Sequence, residues 1–166
     1  MKATKLEVIG VIFAKLRPDR EDVFADIGCG TGGVSEFFAP YVRKIFAVDL
    51  DERAVEETKN RLKSYNSEVL LMNGLEFLKE YDYDLVFFGG TKQIEEMLEV
   101  ACKKARRVAA IAARMEVAIR SFEKIKSLGL RGELLVLNIW RDYELAGGTA
   151  FRPLNPVFLV VGCSSE

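Results

Sequence analysis

The 166 residues contain no histidine. That removes Ser-His-Asp and Cys-His triads, imidazole metal ligands and the commonest general base. Cysteine is scarce: Cys29, Cys102 and Cys163 lie far apart with no CxxC pair, which argues against a disulfide framework or a zinc site. No metal is expected, and proton transfer is left to carboxylates, tyrosine, lysine, cysteine or water. No apolar run approaches the roughly 20 residues needed to span a bilayer, and the opening MKATKLEVIG has no signal-peptide cleavage pattern. The expectation is a cytoplasmic protein without a membrane partner.

With 49% apolar and 30% charged residues, the chain has the balance of one globular domain over residues 1–166. The net charge of −1 hides an asymmetry: residues 1–102 carry 13 basic and 19 acidic groups, residues 103–152 carry 11 and 5. A basic C-terminal half either faces an anionic ligand or is solvated helix surface, and composition leaves both open.

Apolar runs alternate with helical spacing along the chain. Strands are predicted at 22–28, 44–50, 68–73, 84–90, 107–113, 133–140 and 156–162. Helices are predicted at 6–16, 34–41, 52–65, 75–81, 93–105 and 115–129, with Asp51 as the N-cap of the third. This is an α/β pattern: a seven-stranded, mainly parallel sheet with helices on both faces. Its last two strands have no helix between them and are expected to pair antiparallel. The stretch 141–155, RDYELAGGTAFRPLN, is the least regular and is a candidate substrate loop.

The first strand runs straight into Gly28-Cys29-Gly30-Thr31-Gly32-Gly33 before a helix. Glycines there turn the chain tightly, admit a ligand close to the backbone and present amide N–H groups. Gly28, Gly30 and Gly33 formally match the dinucleotide fingerprint GxGxxG. Asp26, just before the loop, favours instead the cationic amino acid end of S-adenosylmethionine and would repel a pyrophosphate. Asp49, about 20 residues on at the end of the second strand, is placed to accept both ribose hydroxyls. Asn73 or the backbone around Leu75 is expected beside the adenine. After strand four stands Gly89-Gly90-Thr91-Lys92, with no NPPY-like motif for methylating an exocyclic amine or an amide. Phe37, Phe38, Phe87 and Phe88 read as core, and no nucleic-acid partner is expected.

Four stretches resemble one family, the decarboxylating C15-methyltransferases of the cobalamin pathway (the CbiT-like proteins), which have a class I, Rossmann-like methyltransferase fold. They are Thr4-Lys5-Leu6-Glu7-Val8, ADIGCGTGGVS, AVDLDERAVEETKNRL and the ending LNIWRDYELAGGTAFRPLNPVFLV. The sequence departs from the family in a short N-terminus, a reduced second glycine loop at Gly89-Gly90, and Lys104-Ala105-Arg106-Arg107 where a Pro-Gly-Gly turn is usual. The resemblance implies S-adenosylmethionine as cofactor, contacted by Thr4, Gly28, Cys29, Gly30, Thr31, Gly32, Asp49 and Leu75. It implies methylation at C15 of cobalt-precorrin-6B with loss of the ring C acetate carboxyl group, and a homo-oligomer, in the larger case a tetramer. Arg141, Thr149 and Asn155 fall in register with the family's ending and are candidate substrate contacts. Arg114, Arg120 and Arg152 are further carboxylate partners to consider, and Glu116 is either a matching acidic position or a first-turn helix charge. An RNA or protein methyltransferase of the same fold, and a cofactor-binding subunit without catalysis, are the alternatives.

Overall fold

A computed structural model describes residues 2–164. The element order is α1 (Leu6–Leu16), β1 (Val23–Ile27), α2 (Gly33–Phe38), β2 (Lys44–Asp49), α3 (Glu52–Leu62), β3 (Ser67–Leu71), α4 (Gly74–Glu80) and β4 (Leu85–Phe88). It continues with α5 (Ile94–Lys104), β5 (Arg107–Ala112), α6 (Met115–Ser127), β6 (Arg131–Leu137), β7 (Trp140–Leu145), β8 (Gly148–Pro153) and β9 (Val157–Cys163). Among the described residues no helix is long and apolar enough to cross a membrane.

Seven strands form one sheet in the order β3-β2-β1-β4-β5-β9-β6. β1 through β5 run parallel, and β9 inserts antiparallel between β5 and β6. The central strands are apolar on both faces because helices cover both: every residue of β1 and of β4 is buried. On one face Phe24, Ile45, Leu85 and Phe87 pack against Ile12, Leu16, Val34 and Phe38 of α1 and α2. On the other, Ala25, Ile27, Phe46 and Val86 pack against Phe77, Leu98 and Ile125 of α4, α5 and α6. Phe24 and Phe38 stack at 4.2 Å between centroids, so the phenylalanines are core as expected.

The predicted strand 133–140 splits into β6 and β7, and the supposed irregular loop 141–155 is a β-hairpin. β7 and β8 form a separate two-stranded sheet, turning through Ala146 and Gly147, both at positive φ (49° and 78°). That is the geometry of a two-residue hairpin turn. The expected antiparallel neighbours are β6 and β9, with this hairpin inserted between them.

Candidate functional site

Strand order reverses between β1 and β4, and in an open α/β sheet ligands bind beyond the carboxyl ends of the strands at such a point. The glycine loop lies there. Gly28, Gly30 and Gly32 adopt φ of 77°, 53° and 84°, which a side chain resists. The N–H groups of Gly28 and Cys29 donate to the Val48 carbonyl at 2.8 and 3.0 Å. Gly30 N–H donates to Asp49 Oδ2 at 3.0 Å, and Asp51 N–H donates to Asp49 Oδ1 at 3.0 Å. The Thr58 hydroxyl donates to the Gly30 carbonyl at 3.1 Å. The loop is therefore latched to β2 through Val48 and Asp49 and to α3 through Thr58. Across from it, β4 approaches so closely that a Cβ on Gly89 would lie 2.6 Å from the Gly28 carbonyl oxygen.

Three cavities meet around these glycines. A cleft of about 370 Å³ is lined by Gly28, Asp49, Met72, Leu75, Lys92 and Met97, among others. A recess of about 50 Å³ is lined by Thr4, Asp26, Cys29, Gly30, Thr31 and Gly89, and also by Gly28. A third cavity, about 260 Å³, shares Lys2, Thr4 and Gly89 with the recess and adds Lys5, Asn155 and Val157. The three make one continuous track, with Gly28 joining the first two and Gly89 the last two.

In the middle stands Asp26, buried to 1% exposure. Its Oδ2 accepts from the Ser35 hydroxyl at 2.6 Å, whereas its Oδ1 has no hydrogen-bond partner. Burial pushes its carboxyl up to about 7, against which the Ser35 hydrogen bonds act, while the Asp49 charge adds to the rise. Cys29 is held as a neutral thiol: burial, reinforced by the Asp26 and Asp49 charges, raises it to about 12. It is no nucleophile at neutral pH.

The cofactor candidates converge. Thr4, Cys29, Gly30 and Thr31 line the recess, Asp49 and Leu75 line the cleft, Gly28 lines both, and Gly32 caps α2 behind them. Asn73 accepts from the N–H groups of Leu75 and Glu76 at 2.9 and 3.2 Å as the cap of α4, so Leu75 offers the cleft its side chain and not a free amide. Of the substrate candidates, Asn155 lines the third cavity. Arg141 pairs with Glu7 at 2.7 Å, and Thr149 is exposed on β8 opposite Glu144. Arg114 bonds Glu116 at 2.7 Å on the exposed start of α6, so Glu116 is a first-turn helix charge. Backbone hydrogen bonding at Glu116 and the Arg114 partner hold that carboxyl below its ordinary value. Arg152 lies over the Tyr143 ring. The cations that do line the track are Lys2, Lys5 and Lys92, which the sequence reading missed. Lys92 follows β4 beyond Gly89-Gly90, a place that carries no sequence signature.

The strand order and the glycine loop over its switch point define a class I, Rossmann-like methyltransferase domain. The family model described as precorrin methyltransferase domain matches residues 1–162. The chain belongs to that family of enzymes. A protein of Archaeoglobus fulgidus named "Probable cobalt-precorrin-6B C(15)-methyltransferase (decarboxylating)" is 56% identical over 97% of this chain and 97% of its own length. A Methanosarcina acetivorans protein of the same name is 38% identical over 96% of this chain and 92% of its own. The crystal structure of precorrin 8W decarboxylase from Methanobacterium thermoautotrophicum superposes with a TM-score of 0.91 at 29% identity, covering 98% of this chain and 92% of that one.

Proposed function

We propose that this chain is a single-domain, S-adenosylmethionine-dependent methyltransferase of cobalamin biosynthesis, methylating C15 of cobalt-precorrin-6B with loss of the ring C acetate carboxyl group as carbon dioxide. The observation that carries the reading is the continuous track with the orphaned Asp26 oxygen at its centre. A buried carboxylate oxygen without a partner is costly unless a ligand completes it, and the α-ammonium of the cofactor's amino acid end does so. The glycine cradle keeps the shape of this site, since a Cβ on Gly28 or Gly89 would press on the facing backbone, 3.2 Å from Gly90 N and 2.6 Å from the Gly28 carbonyl oxygen. S-adenosylmethionine, when bound, supplies the electrophilic methyl group.

The chain's own residues then have distinct tasks. Asp26 and the loop N–H groups bind the amino acid end, with Thr4 and Thr31 closing the recess. Asp49 has two oxygens that each accept one backbone N–H, and its remaining lone pairs receive the ribose hydroxyls. Leu75, Met72 and Met97 give the adenine an apolar slot. The substrate is a polycarboxylate, and Lys2, Lys5 and Asn155 in the adjoining cavity hold its side chains. Catalysis in this arrangement is positioning of a ring carbon in line with the methyl donor.

Assembly is the second part of the proposal. The β7–β8 hairpin carries Trp140 and Phe151, 61% and 62% exposed, on one face with Pro153. A two-stranded hairpin is marginal alone in water. On that face Thr149, Asp142 and Glu144 flank the rings, while Arg141 and Arg152 lie on the opposite face, so it is the apolar groups that suit a second copy of the same hairpin. A homo-oligomer, up to a tetramer, buries this face and brings Thr149, which shares it, toward a neighbour's substrate cavity. The three free cysteines are in keeping with a reducing, cytoplasmic location.

Titration calorimetry with S-adenosylhomocysteine tests the cofactor reading on the wild type, Asp49→Ala and Asp49→Asn. Binding to the wild type with a loss of about tenfold or more in Asp49→Ala supports it and justifies an anaerobic assay with cobalt-precorrin-6B. Absence of wild-type binding overturns it.

A further inference from the structure

A cavity of about 520 Å³, larger than any of the three along the track, is not part of it. It opens at the opposite rim of the sheet, where β5 and β6 begin and α1 and β9 end, and its lining includes Lys15, Arg17, Arg107 and Arg131 against the single carboxylate of Glu133. Lys15 and Glu133 form an ion pair at 2.5 Å. Among the described residues, neither Arg17 nor Arg131 has a carboxylate within ion-pair distance. With Lys15 engaged by Glu133, the guanidinium groups of Arg17 and Arg131 converge on one concavity in a chain whose overall charge is −1.

Arg17 stands where glycine would be easier. It caps α1 in the left-handed conformation, φ 49° and ψ 64°, with its N–H donating to the Phe13 carbonyl at 3.0 Å. Helices commonly end this way on glycine, which adopts the left-handed region without a Cβ penalty. An arginine there strains the backbone and sets a guanidinium at the cavity rim. Strain of that kind gathers at ligand sites. Ser164 adds a hydroxyl to the same wall.

We infer that this cavity is a second binding site, for a small polyanion bearing carboxylate or phosphate groups, distinct from the methyl-transfer track. Arg17 and Arg131 are its principal contacts, because guanidinium forks hold both anion types by paired N–H donors. The site is connected to the other end of the molecule. α1 starts beside Thr4 and Lys5 of the substrate-side cavity and ends at Arg17, while β5 and β9 each line one cavity at one end and the other at the opposite end. An anion held here therefore touches the same three elements that shape the substrate cavity.

The test is calorimetric titration of the protein, saturated with S-adenosylhomocysteine, by inorganic tripolyphosphate and separately by propane-1,2,3-tricarboxylate. The two probes distinguish a phosphate ligand from a carboxylate one. The chain continues to Glu166, so a form ending at Ser164 with an amidated C-terminus is titrated alongside, which excludes competition by carboxylates of the chain's own end. Saturable one-to-one binding of either probe, weakened about tenfold in Arg17→Gly and in Arg131→Ala and reduced by added salt, supports the site. Arg17→Gly keeps the proposal falsifiable, because glycine suits that backbone and the variant should melt no lower than the wild type. Absence of saturable binding in both forms, or binding unchanged in both variants, overturns it.

Discussion

Asp26 is a buried carboxylate with one satisfied oxygen and one orphan, and its behaviour with pH follows from that. Burial raises its carboxyl from 3.8 to about 7, so the ligand-free fold keeps a proton that the unfolded chain releases. The stability this contributes is full below pH of about 4 and is lost as pH rises through about 7. Asp26→Asn should remove that fall, seen as a narrowing difference in melting temperature between variant and wild type at the acid end. Cofactor binding should run the other way. A cationic ammonium favours the ionised carboxylate, so S-adenosylhomocysteine affinity should rise toward pH of about 7 and then level, with a proton released on binding. In Asp26→Asn, affinity about tenfold lower and flat with pH is expected; an unchanged pH profile would remove Asp26 from the site. Gly89→Ala tests the track by shape, since its Cβ would meet backbone at 2.6 Å. It should abolish cofactor binding and cost about 1–3 kcal/mol of stability in a denaturant titration. Asp26 and Asp49 were legible in the sequence because they keep fixed offsets from a glycine loop. The lysines were not, because a single lysine at a helix start or after a strand has no pattern. The arginines read as ligands are mostly engaged locally: the Glu7 that holds Arg141 lies 134 positions away in sequence, beyond any spacing argument.

At the scale of elements, the parallel sheet is pinned at its N-terminal rim by Asp22 and Arg106, which flank β1 and β5. The guanidinium donates to both carboxylate oxygens at 2.7 and 2.8 Å. Burial alone would raise Asp22, but the Arg106 fork and the Asp19 N–H outweigh it and hold the carboxyl below its ordinary value. Arg106→Ala should destabilise by about 2 kcal/mol in a denaturant titration, below the full cost of breaking a buried pair because Arg106 is partly solvated. The sign is that of a depressed carboxylate: the pair's contribution is present above pH of about 4 and is lost as pH falls through the lower folded value. Here too the basic C-terminal half finds much of its use: Lys104 donates to the Leu78, Lys79 and Tyr81 carbonyls at the end of α4, and Lys124 pairs with Glu99. The six helices and the strands of the main sheet were legible because each is an apolar run or stripe covered by the next layer. β7 and β8 were not. Their alternation is of charge and aromatic groups with no buried face, and the turn at Ala146-Gly147 lacks the Asn-Gly or Asp-Gly signature of a two-residue hairpin.

For the whole molecule, that unread hairpin is where the assembly proposal rests. Among the described residues its polar contact with the body is the Arg141–Glu7 pair at 2.7 Å, while the Leu154 N–H donating to the Ile139 carbonyl at 2.8 Å closes the base of the hairpin itself. An exposed tryptophan and phenylalanine on one face of so lightly held a unit are the kind of anchors that dominate an interface. Trp140→Glu combined with Phe151→Glu should therefore convert the assembly to a smaller species, measured as molar mass by light scattering at micromolar concentration. The cleft and the recess are lined by the ends of β1, β2 and β4, the segments that follow β1 to β4, Met97 of α5 and the N-terminal Lys2 and Thr4, none of which belongs to the hairpin. S-adenosylhomocysteine should bind the double variant as it binds the wild type, while turnover of cobalt-precorrin-6B should fall because Thr149 no longer reaches a neighbour. A wild type that is already monomeric, or a variant with unchanged mass, would sink the assembly proposal. Loss of cofactor binding along with the mass change would mean instead that the track depends on the neighbour, against the independence drawn from its lining.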